Sequence, residues 1–232
     1  MNTRNAKFVG GKSLVGAGKP NSGAVTTYIG RKSDGSAGHV YGTVKQEARN
    51  IYTFHLDNEL IDPAAYRDLF SILRDMGEND EMHLMINAPG GRLDTCAQMV
   101  NLIQNTSGTV IGHLLGPSAS AHTFILLACH AWVIYPHSSM MAHSYSGGVY
   151  EKGNEILKSA QATHKFFEEL VTDVYYPFYT EEEIETILDN KDIHIHSKDI
   201  EGRLERVLEY RDKLEEELAK KLTINISEPA SE

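Results

Sequence analysis

Strand-like and helix-like segments alternate between residues 51 and 143, and this alternation constrains the fold more than any other feature of the sequence. Short runs with the apolar pattern of β-strands lie at residues 51–56, 82–87, 109–115, 131–135 and 139–143. Segments with a helical spacing of apolar residues begin at Pro63, Thr95 and Ser120. Strand, helix and strand in repeated order predict a parallel α/β core with right-handed crossovers.

The ends of three of these strands carry residue types that are typical of a catalytic site. Residues 86–91, Ile-Asn-Ala-Pro-Gly-Gly, end one strand in a glycine pair, and residues 140–143 end another in His143. Between them, residues 116–122 place small side chains around Ser120, where an apolar run turns into a helix whose first N–H groups are free. Because such strand ends meet at one edge of the sheet, we expect a nucleophile, a base and backbone donors to converge there, as acyl transfer requires.

The composition argues against several classes of function. The formal net charge is −10 over 232 residues and no basic patch is evident, so a nucleic-acid partner is not expected. No Cys-x-x-Cys or His-Glu-x-x-His pattern occurs, so we predict no metal and no cofactor. Cys96 and Cys129 lie in apolar surroundings and are interpreted as small core residues of a protein from a reducing compartment.

The sequence also predicts no membrane partner. The longest apolar run, residues 124–135, is too short to cross a bilayer and contains His130. The first residues lack the continuous apolar stretch of a secretory signal. The expected location is therefore the cytoplasm.

Changes in composition predict three parts of the chain. Residues 1–48 are rich in Gly, Ser, Lys and Asn and are expected to form a flexible N-terminal arm. Residues 49–198 contain the alternating segments and are expected to form one domain. Residues 199–232 are expected to form a charged helix, over residues 199–222, followed by a loose tail.

The second half of the central part carries local signals of its own. Residues 154–175 have the apolar spacing of one long helix, so part of its apolar face is expected to lie against another subunit. Thr180 and Glu183 predict a capping box at the start of the next helix. Residues 193–196, Ile-His-Ile-His, alternate as a short strand does.

Taken in order, the motifs around the glycine pair, Ser120 and His143 resemble those of one family, the proteolytic subunit of the Clp protease. That family carries an Ile-Asn-Ser-Pro-Gly-Gly loop, a Gly-x-Ala-x-Ser turn and a Met-Ile-His segment, and the resemblance extends over about residues 51–199. Here Ala88 replaces the usual serine of the loop, and Ser118 replaces the usual alanine of the turn. The divergent pattern is similar to the versions carried by bacteriophages.

The resemblance implies a serine peptidase with a Ser-His-Asp triad on a crotonase-like α/β fold, built from βαβ units with a protruding helix–strand handle. Ser120 matches the nucleophile of the family and His143 matches its base. The family's acid falls where the match is poor. Asp189, which follows the helix-like residues 184–188, is the first choice for this acid, and Asp192 is the second.

The resemblance also implies which groups surround the reacting carbonyl. Gly90 matches the glycine whose N–H helps to bind the oxyanion, and the second donor is the N–H of Ala121, the residue after the nucleophile. Gly91, Arg92 and Leu93 lie beside this loop and are the expected contacts of an extended peptide that adds to a strand edge. We expect a glycine to be needed at position 90, because a side chain there would crowd the approaching substrate backbone.

As partners, the resemblance implies a peptide or unfolded protein as substrate, a homo-oligomer of two stacked heptameric rings, and a AAA+ unfoldase. Three other functions stay open: a catalytically silent ring or scaffold subunit, an acyl-CoA enzyme of the crotonase type, and a relative of the signal-peptide peptidases. Within the serine turn, Ser118 is the alternative nucleophile. Ser120 and His143 could also be packing residues without a catalytic role.

Overall fold

The computed structural model of the chain describes residues 7–10, 28–31, 37–40, 49–148, 150 and 152–227. Its strands are β1 (Lys7–Gly10), β2 (Tyr28–Arg31), β3 (Ala37–Val40), β4 (Ile51–Leu56), β5 (Glu81–Ile86), β6 (Thr109–Leu114), β7 (Pro117–Ala119), β8 (Ala131–Ile134), β9 (Ser139–Ala142) and β10 (Ile193–His196). Its α-helices are α1 (Arg67–Asp75), α2 (Leu93–Asn105), α3 (Ala121–Ala128), α4 (Gly153–Tyr175), α5 (Glu181–Leu188) and α6 (Ser197–Ser227). A 3₁₀ turn, Pro63–Tyr66, precedes α1.

The centre of the molecule is a five-stranded sheet in the order β1-β8-β6-β5-β4. Strands β4, β5, β6 and β8 are parallel, and β1 pairs antiparallel with β8 at the edge. Helices α1, α2 and α3 lie between successive parallel strands along the chain, as parallel pairing requires. The predicted α/β core of βαβ units is confirmed.

One face of this sheet is buried beneath the helices. Met82, Leu84 and Ile86 of β5 are fully buried, whereas the intervening residues of the strand are only half-buried. Leu73 of α1 and Met99 of α2 are also fully buried in the same core. Burying such a side chain stabilises the fold by about 1.5–3 kcal/mol, so this layer fixes where the strand ends lie.

A second, three-stranded sheet in the order β10-β9-β7 stands beside the first. Strand β7 runs parallel to β9, and β10 runs antiparallel to it. The N–H of Ala119 donates to the Ala88 carbonyl at 3.0 Å, which joins this sheet to the loop after β5. The sequence predicts only a turn where β7 lies, because Pro-Ser-Ala has little strand propensity. The strand forms because its backbone pairs with that of β9.

Helix α4 has a buried half and an exposed half. Phe167, Val171 and Tyr175 in its second half are buried, whereas Ile156 and Leu157 near its start are 42% and 63% exposed. The first half therefore protrudes from the core of the single chain, as the expected handle does. The predicted capping box at the start of α5 is present, with Glu183 N–H donating to Thr180 Oγ1 at 3.2 Å.

Helix α6 begins at Ser197 and ends at Ser227, rather than at residue 222 as the sequence predicts. Its first half packs on the core through Ile200, Leu204 and Val207. Arg211 donates to the carbonyls of Leu127 and Cys129 at 3.0 Å each, at the end of α3. None of the described helices is long and apolar enough to cross a membrane.

The predicted flexible arm, residues 1–48, is described only in part. Residues 7–10 form β1 and extend the main sheet, and β2 pairs with β3 in a separate two-stranded ribbon. The edge of a sheet presents unpaired backbone groups that an extended segment can pair with, which explains how β1 joins β8. The remainder of the arm lies outside the described residues, so the three-part division of the chain stays a prediction.

Candidate active site

Loops from both sheets converge on a cavity of about 670 Å³. Ser120, Ala121 and His143 line it, together with Gly91, Arg92 and Leu93. These residues come from the ends of β5, β7 and β9, which the two sheets bring to one place. The structure therefore brings together the serine, the histidine and the three residues predicted to contact a peptide.

Ser120 has a backbone conformation that is unusual for a residue other than glycine. Its φ is 53° and its ψ is −126°, where β7 turns into α3. A non-glycine residue in a sparsely populated region costs about 1–3 kcal/mol and persists only where its surroundings hold it. The Ser120 N–H donates to the Met141 carbonyl at 2.8 Å, and its own carbonyl accepts the Thr123 N–H at 2.9 Å. The hydroxyl of Ser120 makes no capping bond to α3.

Gly90 lies directly against the candidate nucleophile. Its φ is +119°, and a Cβ added there would lie 2.7 Å from the Cβ of Ser120. A side chain at position 90 would therefore collide with Ser120 itself, and not only with a substrate backbone as predicted. Within the described part of the chain, neither the Gly90 N–H nor the Ala121 N–H has a hydrogen-bond acceptor, so both can serve an oxyanion.

A segment after β4 holds the glycine loop in place. The Leu60 N–H donates to the Gly90 carbonyl at 2.8 Å, and the Arg92 N–H donates to the Leu60 carbonyl at 2.9 Å. A Cβ on Gly91, whose φ is +133°, would lie 2.3 Å from the Leu60 nitrogen. The glycine pair is thus required by two different neighbours, Ser120 for Gly90 and Leu60 for Gly91.

His143 follows β9 directly, is half-buried, and lines the same cavity as Ser120. Ser118, the alternative nucleophile, is 1% exposed, and its Oγ has no hydrogen-bond partner among the described residues. Ser118 is not part of the cavity lining. Of the two serines in the turn, only Ser120 shares a cavity with a histidine.

The two aspartates proposed as the third member lie at different distances along the chain from β10. Asp189 ends α5, is exposed, and donates its N–H to the Glu185 carbonyl at 2.9 Å. Asp192 is also exposed and immediately precedes β10, where Ile193 pairs with Ala142. Continuing this antiparallel register by one residue sets Asp192 opposite His143.

Among the described residues, no hydrogen bond joins the imidazole of His143 to Ser120, Asp189 or Asp192. The nucleophile and the base therefore share a cavity without the contact that proton transfer needs. Such contacts are often long in free enzymes and tighten when substrate binds.

The lining of the cavity includes apolar and charged residues. Phe124, Ile156 and Phe167 supply apolar surface, and the ring centre of Tyr145 lies 5.1 Å from that of Phe167. Arg92, a charged lining residue, pairs with Asp94, with 3.0 Å between Nε and Oδ1. The hydrogen bond from Arg92 lowers the pKa of Asp94.

Glu59 also lines the cavity, and no ion pair or hydrogen bond of its side chain occurs within the described residues. The cavity therefore combines apolar surface with one carboxylate that no described counter-charge neutralises.

Three buried polar side chains near Ser120, those of His122, Thr123 and Tyr175, carry no functional signal in the sequence. Thr123 and Tyr175 are both fully buried, and their hydroxyl oxygens are 2.6 Å apart. His122 is also fully buried, and burial lowers its pKa to about 4, although the Gly90 backbone opposes the shift. The bond between Thr123 and Tyr175 joins residues of two helices, which no local pattern could have predicted. No group of three or more His, Cys, Asp or Glu side chains in the described ranges is arranged to hold a metal ion.

Comparison with known proteins identifies one family. The Clp protease family matches residues 56–199, which is more than half of the chain. The chain is similar to the protein named ATP-dependent Clp protease proteolytic subunit from Sorghum bicolor, from Saccharum officinarum and from a Saccharum hybrid. Each is 30% identical over 100 residues, which are 42% of this chain and 46% of the relative. The alignment thus spans about half the length of these curated relatives.

The family match covers the glycine loop, the serine turn, His143 and both candidate aspartates. It begins at the last residue of β4 and ends within the first turn of α6. The matched region is therefore the part of the structure that builds the cavity, and the chain belongs to the Clp protease family.

Proposed function

We propose that this protein is a serine endopeptidase that hydrolyses peptide bonds of unfolded proteins or peptides. The observation that carries the proposal is the shared cavity, in which Ser120 at the turn into α3 and His143 at the end of β9 face the same space. Membership of the Clp protease family supports it. Ser120 is the proposed nucleophile and His143 the proposed base.

The proposed reaction uses Ser120, Ala121 and His143, which line the cavity, and Gly90, which lies against Ser120. His143 removes the hydroxyl proton of Ser120 as Oγ bonds to the substrate carbonyl carbon, because a neutral hydroxyl is a weak nucleophile. The N–H groups of Gly90 and Ala121 donate to the oxygen as it gains negative charge, and one such donor contributes about 3–4 kcal/mol to lowering the barrier. The C–N bond then breaks, the amine takes the proton from His143, and water releases the acyl group by the same steps.

The third member of the triad is proposed to be Asp192, with Asp189 as the alternative. The register of β9 with β10 supports Asp192, because Ala142 is opposite Ile193. A carboxylate beside His143 would hold the ring in the tautomer that accepts the Ser120 proton and would stabilise the imidazolium. Asp189 stands three positions earlier in the sequence, at the end of α5.

Hydrolysis of a fluorogenic peptide, together with labelling by a fluorophosphonate that reacts with activated serines, tests the proposal. We expect hydrolysis by the wild type, labelling at Ser120 in peptide maps, and loss of both in Ser120→Ala. Ser118→Ala is the matched control, since it removes a hydroxyl of the same turn that lies outside the cavity, and it should keep both signals. Labelling at another residue, or unchanged hydrolysis by Ser120→Ala, would contradict the proposal.

The working form is proposed to be a cytoplasmic oligomer of stacked heptameric rings that encloses the cavities and receives substrate from a AAA+ unfoldase. The exposed apolar residues Ile156 and Leu157 on α4, and Phe166 in its second half, support an interface between subunits. Light scattering of the purified protein measures the subunit number, and Leu157→Glu should reduce it. A monomer that cleaves peptides at full rate would contradict the proposed chamber, but it would not contradict the proposed peptidase activity.

A catalytically silent ring subunit is the second proposal. The observation in its favour is the missing hydrogen bond between His143 and either Ser120 or the two aspartates within the described part of the chain. Under this proposal the purified protein forms rings of normal size but neither cleaves peptides nor reacts with the fluorophosphonate. Measurable turnover that depends on Ser120 excludes it.

A further inference from the structure

A chain of buried hydroxyl groups leads from the end of α4 to the backbone of Ser120. Thr123 Oγ1 lies 2.6 Å from the Ser120 carbonyl oxygen and 2.6 Å from the hydroxyl oxygen of Tyr175. Thr123 and Tyr175 are both fully buried. The proposed mechanism uses neither side chain, so the link that Tyr175 makes through Thr123 to the Ser120 backbone needs its own explanation.

The number of available protons fixes the direction of these two hydrogen bonds. A backbone carbonyl can only accept, and a threonine hydroxyl has one proton to donate. Thr123 therefore donates to the Ser120 carbonyl, and Tyr175 donates to Thr123. Burial raises the pKa of Tyr175 well above its ordinary value, so the phenol keeps the proton that it donates.

The carbonyl of Ser120 belongs to the same peptide unit as the N–H of Ala121. A peptide unit is planar and trans, so its C=O and its N–H point in opposite directions. Fixing the carbonyl toward Thr123, inside the core, fixes the Ala121 N–H toward the other side, where Ala121 lines the cavity. The Thr123 N–H also donates to this carbonyl, at 2.9 Å, so the Thr123 hydroxyl adds a second restraint next to a residue whose positive φ is unfavourable.

We infer that Thr123 and Tyr175 are positioning residues that aim the Ala121 N–H at the oxygen of the reacting carbonyl. The inference rests on the proposed function, in which Ala121 supplies one of two donors to the oxyanion. It assigns a role to the last residue of α4, whose hydroxyl connects the handle helix to the serine turn. Neither residue touches the substrate, so each acts only through the Ser120–Ala121 peptide.

The chain contains a matched control for the Tyr175 hydroxyl. Tyr179 is also fully buried, and its ring centre lies 4.8 Å from that of Tyr175. Its hydroxyl has no hydrogen-bond partner among the described residues. Tyr175→Phe and Tyr179→Phe therefore remove the same atom from neighbouring sites, but only the first breaks the connection to Ser120.

Steady-state hydrolysis of a fluorogenic peptide by the full-length oligomer tests the inference. Loss of one oxyanion donor lowers kcat by about 10²–10³-fold, and a donor that is present but misdirected should lose less. We expect Thr123→Val to lower kcat by roughly 10–100-fold and Tyr175→Phe by a smaller factor, both with unchanged KM. Thr123→Ser, which keeps the hydroxyl, should restore most of kcat, and Tyr179→Phe should match the wild type.

Thermal unfolding of the same variants gives a measure that needs no activity. In the wild-type background Tyr175→Phe should lower Tm, because Thr123 loses a donor. In the Thr123→Val background the same substitution should leave Tm unchanged or raise it, because the phenol there is already buried without a partner. If the wild type shows no turnover, the proposed function fails, and this cycle still decides whether the two hydroxyls are coupled.

Three results would each overturn the inference. The first is a Thr123→Val enzyme with wild-type kcat. The second is a Thr123→Ser enzyme as impaired as Thr123→Val, and the third is equal impairment by Tyr175→Phe and Tyr179→Phe. Additive Tm changes in the double variant would contradict the hydrogen-bond chain itself.

Discussion

The serine side and the acid side of the proposed triad are built very differently. Ser120 is held by hydrogen bonds to its N–H and to its carbonyl, and Gly90 packs against its side chain. Asp189 and Asp192 are exposed, and neither carboxylate has a hydrogen bond within the described part of the chain. Ser120 and Gly90, the proposed nucleophile and oxyanion donor, are therefore held by contacts within one chain, whereas the two candidate carboxylates have no such contacts among the described residues.

This difference indicates where control of activity can act. A turn that is fixed by close packing changes little when a substrate or a second subunit binds. The segment between α5 and β10 is exposed, and the N–H groups of Asp189, Asn190 and Lys191 donate to carbonyls of α5, so its backbone is held while its two candidate carboxylates are not. We therefore expect substitutions on the serine side to lower the rate of peptide hydrolysis under all conditions. Substitutions on the acid side should lower it by an amount that depends on how well the loop between α5 and β10 places its carboxylate beside His143.

The largest effect is expected from Gly90→Ala on the serine side. The added methyl group would lie 2.7 Å from the Cβ of Ser120 and would displace the oxyanion loop, so kcat/KM should fall by about 10²–10³-fold. Peptide hydrolysis measures this loss, and circular dichroism shows whether the fold is kept. Gly77→Ala is the control, because a methyl group there meets only Asp80 Oδ2, at 3.8 Å, and it should leave the rate unchanged. Normal activity of the Gly90→Ala enzyme would contradict the claim that Gly90 packs too closely on Ser120 to accept a methyl group.

The next effect is expected from Asp192→Asn. Loss of a triad carboxylate costs about 10⁴-fold where it is buried, and an exposed one is screened by water, so we expect a fall in kcat of roughly 10–100-fold. Asp189→Asn, three positions earlier and equally exposed, is the matched control and should stay within about twofold of the wild type, since surface charges contribute little. If Asp189→Asn lowered kcat more than Asp192→Asn, the role of the acid would belong to Asp189, the first choice from the sequence.

A smaller effect, on stability, is expected from Glu183→Gln in the first turn of α5, the helix that precedes both candidate aspartates. Glu183 pairs with Arg203 at 2.7 Å, and this hydrogen bond lowers the pKa of the carboxyl group. Because the folded pKa lies below the unfolded value, the pair stabilises the fold above the unfolded pKa of Glu, about 4.3. That stability is lost as the pH falls through the folded pKa.

At pH 7 the Glu183→Gln variant should therefore unfold a few degrees below the wild type, about 2–4 °C for each kcal/mol lost. Glutamine still completes the capping box with Thr180, so the variant isolates the charge. The difference in Tm between the two proteins should shrink at acid pH, as thermal melts between pH 3 and pH 7 will show. A difference that does not depend on pH would exclude the ion pair as its cause.

The smallest effect is expected from Glu59→Gln at the cavity. The Glu59 carboxylate faces the cavity without a counter-charge among the described residues, whereas Arg92 is paired with Asp94. Wild-type enzyme should cleave a peptide with a basic residue near the scissile bond about two- to fivefold better than its neutral analogue, and salt should weaken this preference. Glu59→Gln should abolish it, and Asp57→Asn, in the same segment but outside this cavity, should not.

Much of the serine side could be predicted from the sequence. The glycine pair and His143 each end an apolar run, and Ser120 lies where a run turns into a helix, as predicted. The single sheet edge that the sequence predicts is wrong, because β5 belongs to the main sheet whereas β7 and β9 belong to the second sheet. The choice between Asp189 and Asp192 could not be made in the same way, because it depends on β10 pairing with β9, and residues 193–196 give no sign of their partner. An alternating run identifies a strand but not its register.

The same limit applies to the hydroxyl chain and to β7. Thr123 and Tyr175 are 52 positions apart and look like ordinary core residues of two helices. Strand β7 forms because its backbone pairs with β9, although Pro117–Ala119 would predict a turn. Pairings between distant segments thus decide the details of the site, whereas local patterns decide its main parts.

Helix α3 is joined at both of its tips to parts of the chain that come later. Tyr175 reaches its first turn through Thr123, and Arg211 donates to the carbonyls of Leu127 and Cys129 at its last turn, with its guanidinium 5.0 Å from the ring centre of Trp132. A cation suits this tip, where the dipole of a helix is negative. A product clipped ahead of residue 211 would lose the second anchorage of α3 while it retains Ser120, His143 and both candidate aspartates.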